Sequence, residues 1–462
     1  MTARLLGTLT VAALCGACGG SDSSPAAAAG ATFFEGARLI IGDGEVIENG
    51  GMLIEGDRIV AVGSRAAMSV LAGTRTIDLS GKTVIPALID AHAHLGYEGY
   101  TAWGAESYTR ENMIEDLERY AYYGFGAVFS AGSDPDDFAL ELQRAQRAGE
   151  FGGARFLFAA GMAPPGQGPN NQFLVHTQAI GERMGMTVVR GVASVEDART
   201  AVAEVAAKGI PFIKIWVDDR GGSQTKLAPE LYRAIISEAR AHDIAVVVHQ
   251  QSTADMPGLL DAGVTGFLHG RLGPTLDAAL ANRIHDAGAY LVPNLGLGEL
   301  RRERVADDPF LQETVRADVV ARLGQAFDAQ QAGGGGGGGA NEQAMRESMG
   351  HLLDAHVDVV LGTDAGAVPD HFFGYTGHRE LEIFERLGMS PAEAIIAATS
   401  RPAARLGLDD MGTLAPGKRA DFVVLDANPL DGIRNTRSIS AVWLDGEEVD
   451  RAALARRFTA MD

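Results

Sequence analysis

A (β/α)8 barrel of the TIM type, with a small β-sandwich assembled from both chain ends, is the fold class that this 462-residue sequence predicts. Three observations carry it. Eight short apolar runs of strand length recur through the middle of the chain, at 84–89, 126–129, 155–159, 212–216, 244–248, 265–268, 290–293 and 357–361. Amphipathic helical patterns separate most of them, for example at 194–208 and 229–242. Hairpin-like stretches at 37–41, 51–54 and 57–62, and again at 420–426 and 439–446, are each too small for a core and gain one by pairing. An open doubly wound sheet is the structural alternative, but it does not explain why polar residues recur at the strand ends.

Composition narrows the function. Hydrophobic residues make up 46% and charged residues 21%, the mix of a globular chain with a full core. Lys and Arg number 39 against 60 Asp and Glu, so the net charge of -21 repels nucleic acid. The only cysteines are Cys15 and Cys18, which removes thiolate catalysis, zinc fingers and disulfide frameworks from the body.

A basic head at Arg4, an apolar core over 5–14 and small residues up to Cys18 read as a secretory leader over 1–17. The flexible tether over 18–32 gives it the form of a bacterial lipoprotein signal, with Cys18 as lipid anchor and the cell envelope as location. A plain secretory leader cut near Ala29 is the alternative. No later run is long enough to cross a bilayer, so membrane contact is expected only through the lipid. The sandwich is expected at 33–83 and 412–451, with the barrel at 84–411 between them. The glycine run at 333–339 interrupts two helical patterns and reads as a neutral excursion over the barrel mouth.

Metal-ligand chemistry clusters at the strand ends. His92 and His94 are spaced i, i+2, which puts both imidazoles on one face of an extended chain. Lys214 sits inside an apolar strand, where it must lose its charge or find a partner. It reads either as snorkelling to a helix carboxylate or as a carbamylated lysine bridging two ions, and its place on the fourth strand favours the bridge. His249 and His269 end the fifth and sixth strands, at the barrel face where active sites assemble. Asp364 ends the eighth, where a carboxylate can bind metal and take a proton.

Together these residues resemble the amidohydrolase superfamily, in its imidazolonepropionase-like and Xaa-Pro-dipeptidase-like branch. The resemblance runs from about Phe33 to Arg451 and includes the return segment at 412–421. Ala87, Leu268 and Gln250 depart from the family's usual residues without removing a ligand. The resemblance implies a binuclear centre on His92, His94, Lys214, His249, His269 and Asp364, holding two divalent ions, with Zn²⁺ the first choice. A bound ion lowers a water's pKa to about 7. Asp364 would take that water's proton and deliver it to a leaving amine.

Loop residues beyond the ligands are the candidates for substrate contact: Tyr97, Gln250, Arg271 and His378 first, with Tyr100, Asp218, Asp219, Arg220, His371, Phe372, Phe373 and Tyr375 nearby. Arg271 reads equally as a carboxylate clamp or as a surface ion pair. The expected partner is a small molecule, a dipeptide, N-acyl amino acid or cyclic amide, and a homo-oligomer stays open. A lactone or phosphoester hydrolase on the same metals, and a non-catalytic binding lipoprotein, are the competing classes. The complete ligand set speaks against the last.

Overall fold

The computed structural model describes residues 30–270, 272–299, 303–332 and 342–460. The leader, Cys18, Arg271 and the glycine run lie outside the described residues. Seven parallel strands form the barrel wall in spatial sequence: Leu88–Ala93, Phe125–Ala131, Arg155–Ala163, Phe212–Val217, Ala245–Gln250, Gly266–Leu268 and Tyr290–Val292. The eighth stave is irregular. Val359 bridges Leu291 and Ala365 bridges Ala93, both in parallel. Hydrogen bonds from the Val360 N–H to the Leu291 carbonyl (2.9 Å) and from the Ala91 N–H to the Leu361 carbonyl (3.0 Å) draw the ring shut.

Strand parity divides the apolar residues into two layers. Ile89, Ala91, Phe129, Phe212, Val247 and Val292 fill the barrel interior. Leu88, Ile213, Ile215, Val246 and Val248 face outward, into the layer shared with the helices. The helices have local causes. Val195–Ala207 starts where the Ser194 side chain accepts the Asp197 N–H, and Pro229–Ala241 starts with proline at its first position.

The two chain ends make a single mixed sheet. Thr32–Ile40 pairs with Val46–Glu55, which pairs with Arg58–Ser64, and Phe422–Leu425 pairs with Ile439–Leu444. The halves join through Thr83–Pro86, antiparallel to Phe422–Leu425 and parallel to Thr32–Ile40. Phe34 lies 5.1 Å from Phe422 and 5.0 Å from Trp443, edge to face, at the centre of this sheet's own core. The strands expected as a sandwich from both ends are therefore hydrogen-bonded in one sheet that curls back on itself, with the Ile59 N–H reaching the Lys418 carbonyl at 2.9 Å.

One boundary moves. The run at 84–89, expected as the first barrel strand, is two strands. Thr83–Pro86 belongs to the end sheet and Leu88–Ala93 to the barrel. Pro86 has no N–H to continue a ladder. Immediately after it, the Ala87 N–H binds Asp421 in the end sheet and the Leu88 N–H binds Gly124 in the barrel. Both halves are buried on both faces, so their apolar patterns run together. A helix at Arg451–Thr459, beyond the expected domain end, packs Phe458 against Tyr122.

Candidate metal centre

An irregularity in pairing between Asp90 and Ala93 resets the parity of the first barrel strand. Ala91 faces the interior, and His92 and His94 then do so as well. The His92 and His94 Nε2 atoms lie 3.2 and 3.0 Å from Asp364 Oδ1, and His269 Nε2 lies 3.5 Å from Asp364 Oδ2. Lys214, fully buried on the fourth strand, brings Nζ within 3.4 Å of His92 Nε2. The His249 ring lies 4.6 Å from the His269 ring, with its Nε2 held 3.0 Å from Asp218 Oδ2. Thus all six residues expected to hold metal stand together at the C-terminal end of the barrel.

The chemistry of this group fits a cation. Asp364 Oδ1 is buried and meets no hydrogen-bond donor of good geometry among the described residues, although two imidazole nitrogens face it. Ligand atoms of His92, His269 and Asp364 lie within 4.8 Å of one another. Burial, reinforced by Lys214, holds the His92 imidazole well below its usual range. Burial and then Arg220 do the same to His249. Neutral imidazoles are the form that binds metal. Burial also lowers Lys214 from 10.5 to about 7.

Supporting contacts reach back into the barrel wall. Asp90 accepts the His92 and Thr363 N–H groups at 3.0 and 3.1 Å and the Thr363 and Tyr120 hydroxyls at 2.7 Å each, clamping the first stave to the eighth. His94 Nδ1 lies 2.7 Å from Ser133 Oγ, and His92 Nδ1 lies 2.9 Å from Asn294 Oδ1. His269, Asn294 and Asp364, at the ends of three neighbouring staves, have φ of 67°, 51° and 61°. Left-handed backbone at three such buried residues is strain concentrated at a site. Asn294 and Ser133 were not expected from the sequence. An asparagine after Pro293 looks like an ordinary strand terminator until residues 92 and 269 are placed beside it.

A cavity of about 870 Å³ opens above the cluster, with His94, Lys214, His249, His269 and Asp364 in its wall. Its apolar lining includes Phe173, Trp216, Leu272, Leu323, Phe327 and Met345, and its polar lining includes Asn170, Gln172, Arg220 and Gln251. Three expected substrate contacts are corrected. Tyr97 is fully buried behind Phe173, ring centroids 4.4 Å apart, and its hydroxyl donates to the Ser133 carbonyl at 2.7 Å. Gln250 has the outward parity of Val246 and Val248, whereas His249 and Gln251, two apart, share the cavity side. His378 is locked between Thr436 (3.0 Å) and the Tyr123 carbonyl (2.8 Å), away from the cavity wall.

The surrounding candidates sort similarly. Tyr100 stacks on Phe372 at 5.1 Å, Phe373 packs on Tyr120, and the Tyr375 hydroxyl binds Asp308. The Asp219 side chain caps Gly221. Asp218 instead holds both His249 and Arg220, and His371 Nδ1 lies 3.3 Å from the Asp364 carbonyl.

Comparison with known proteins agrees with this geometry. Residues 83–449 match the model of the amidohydrolase family. The chain is 25% identical to imidazolonepropionase of Streptomyces griseus over 416 residues, covering 87% of this chain and 93% of that one. It is 24% identical to ochratoxinase of Aspergillus niger, covering 88% and 84%. A solved structure titled putative prolidase, from Bifidobacterium longum, superposes with a TM-score of 0.67 at 26% identity, covering 93% of this chain and 99% of that one. On the family match and the metal-type cluster at the barrel mouth, the chain belongs to the amidohydrolase family, as a metal-dependent hydrolase acting on carbon–nitrogen bonds.

Proposed function

We propose that the chain hydrolyses the amide bond of a small substrate that carries a bulky apolar group, such as an N-acyl amino acid with a large acyl chain. The observation that carries this reading is the cavity: about 870 Å³, lined by the ligand cluster together with Phe173, Trp216, Leu323 and Phe327. That volume falls in the range of drug-sized sites and exceeds what a small dipeptide fills. The relatives named imidazolonepropionase, ochratoxinase and prolidase support amide-type chemistry without choosing the substrate.

His92, His94 and Asp364 would hold one divalent ion, and His249 and His269 a second, with Lys214 between them. A half-neutral Lys214 amine near pH 7 suits carbamylation. Its Nζ lone pair would bond the carbon of CO2, an N–H proton would leave, and the new carboxylate would offer two oxygens. Divalent ions in this place supply Lewis acidity toward the scissile carbonyl and acidify a water. Asp364 takes the proton of the attacking water at Oδ1 and hands it to the departing amine. Trp216 and Phe173 keep bulk water from the reacting amide and seat the apolar group.

The test is a matched panel of acetyl and naphthoyl amino acids, with lactones and phosphotriesters alongside. The naphthoyl amides should lead the acetyl ones by about 10–100-fold in kcat/KM, the worth of burying one large apolar group. Chelation should abolish the activity. Faster turnover of the lactones or phosphotriesters would overturn the amide assignment.

A further inference from the structure

The Asn294 side chain touches two of the ligand residues at once. Its Oδ1 accepts the backbone N–H of His269 at 3.1 Å and lies 2.9 Å from His92 Nδ1. A backbone N–H can only donate, so the atom facing it is the amide oxygen. That oxygen can only accept, so His92 must carry its proton on Nδ1. The Nε2 lone pair of His92 is thereby left facing Asp364 and Lys214. The amide nitrogen is then left over. Nδ2 of Asn294 is buried and meets no acceptor among the described residues, and Asn294 lines the cavity. A buried donor without a partner is costly, of order 1–3 kcal/mol, unless something arrives to accept from it.

We infer that Asn294 has two jobs: it fixes the tautomer and orientation of His92, and its Nδ2–H donates to the carbonyl oxygen of the scissile amide as negative charge builds there. The second job rests on the hydrolase reading given above, and the first needs only that metal binds. The left-handed backbone of Asn294, φ 51°, turns the side chain across from the seventh stave toward the first and sixth. Asparagine tolerates that conformation better than most residues. Serving as acceptor and donor at once requires an amide. A leucine of similar size offers neither function, and an aspartate keeps the acceptor alone.

The two variants separate the jobs. Zn²⁺ titrated calorimetrically into metal-free Asn294→Leu should bind about 10–100-fold more weakly than to wild type, the usual effect of losing a partner behind a ligating histidine. Asn294→Asp should keep its Zn²⁺ affinity but lose about 100-fold in kcat on the best amide substrate, with KM little changed. Wild-type Zn²⁺ affinity in Asn294→Leu overturns the positioning role. Wild-type kcat in Asn294→Asp overturns the donor role. Independently of any variant, ¹⁵N-histidine-labelled wild type should show His92 protonated on Nδ1, and protonation on Nε2 refutes the inference outright. A wild-type chain that takes up no Zn²⁺ at all overturns the metal-hydrolase reading instead, and is distinguishable because it fails before any variant is made.

Discussion

Gly132 is a position where a single methyl group should damage the site through one identifiable contact. It follows the second barrel strand with φ +84°, and a Cβ there would stand 2.7 Å from Lys214 Cβ and 2.8 Å from Lys214 Cγ. Carbon atoms rest at about 3.5–4.0 Å, so Gly132→Ala must move the root of the Lys214 side chain by roughly 1 Å. Two costs add: about 1–2 kcal/mol for a left-handed alanine, and about 1–3 kcal/mol for overpacking a buried contact. The expected loss in denaturant unfolding is thus about 2–5 kcal/mol. Because Lys214 Nζ is 3.4 Å from His92 Nε2, the same shift spoils the ligand geometry. A misplacement of that size costs about 100-fold in turnover. Gly185 supplies the control: at φ +64° a Cβ would meet nothing within 4 Å. Gly185→Ala should therefore show the backbone cost alone, with turnover untouched. If both alanine variants lose the same stability, and Gly132→Ala keeps wild-type activity, the contact with Lys214 is not what the glycine protects.

Two further outcomes follow from buried polar groups. His378→Phe should lower stability by about 1–3 kcal/mol, because it strands the Tyr123 carbonyl and the Thr436 hydroxyl. Its metal content and KM should match wild type, and a raised KM with intact stability would return His378 to the substrate site. Glu98 accepts the Tyr100 and Asp370 N–H groups at 2.7 Å each, yet burial raises its pKa from 4.5 to about 7. The folded protein thus keeps a proton that the unfolded chain has lost, and the stability this group contributes falls as pH rises from about 4.5 to about 7. The stability of wild type relative to Glu98→Gln should decline over that window by urea unfolding, and a difference that is flat with pH would show that Glu98 titrates normally.

Much of the barrel could be read from the chain because its helices carry local signals. Ser194 and Pro229 mark two starts to within a residue. The buried polar cluster could be read for a different reason: several polar residues recur at the ends of otherwise apolar staves, at the barrel face where active sites assemble. The failures share a cause as well. Residue parity on a strand depends on bulges, and those depend on partners far along the chain. From the sequence Gln250 thus reads as a neighbour of the site, whereas Gln251 lies in the cavity wall. Tyr97 is four residues past the first barrel strand, but an aromatic cluster with Tyr108 and Phe173 claims its ring. Asn294 depends on contacts 202 and 25 residues away in sequence, and no local pattern encodes them. The split of 84–89 is hidden because both of its halves are apolar.

The curled end sheet has a consequence for how the chain is made. The hairpin of Thr32–Ile40 with Val46–Glu55 leaves the ribosome well before the C-terminal strands of the same sheet, and its apolar face carries Phe34, Met52 and Ile54. The residues that cover that face, Phe422 and Trp443, come nearly four hundred positions or more later. At synthesis rates of about 5–20 residues per second, the nascent chain carries an uncovered sticky surface for roughly 20–80 s. The barrel must therefore fold while tethered to an unfinished neighbour. Any chain stopped before Phe422 is left with a half-sheet whose open edge and bare aromatic face invite association with other copies of itself.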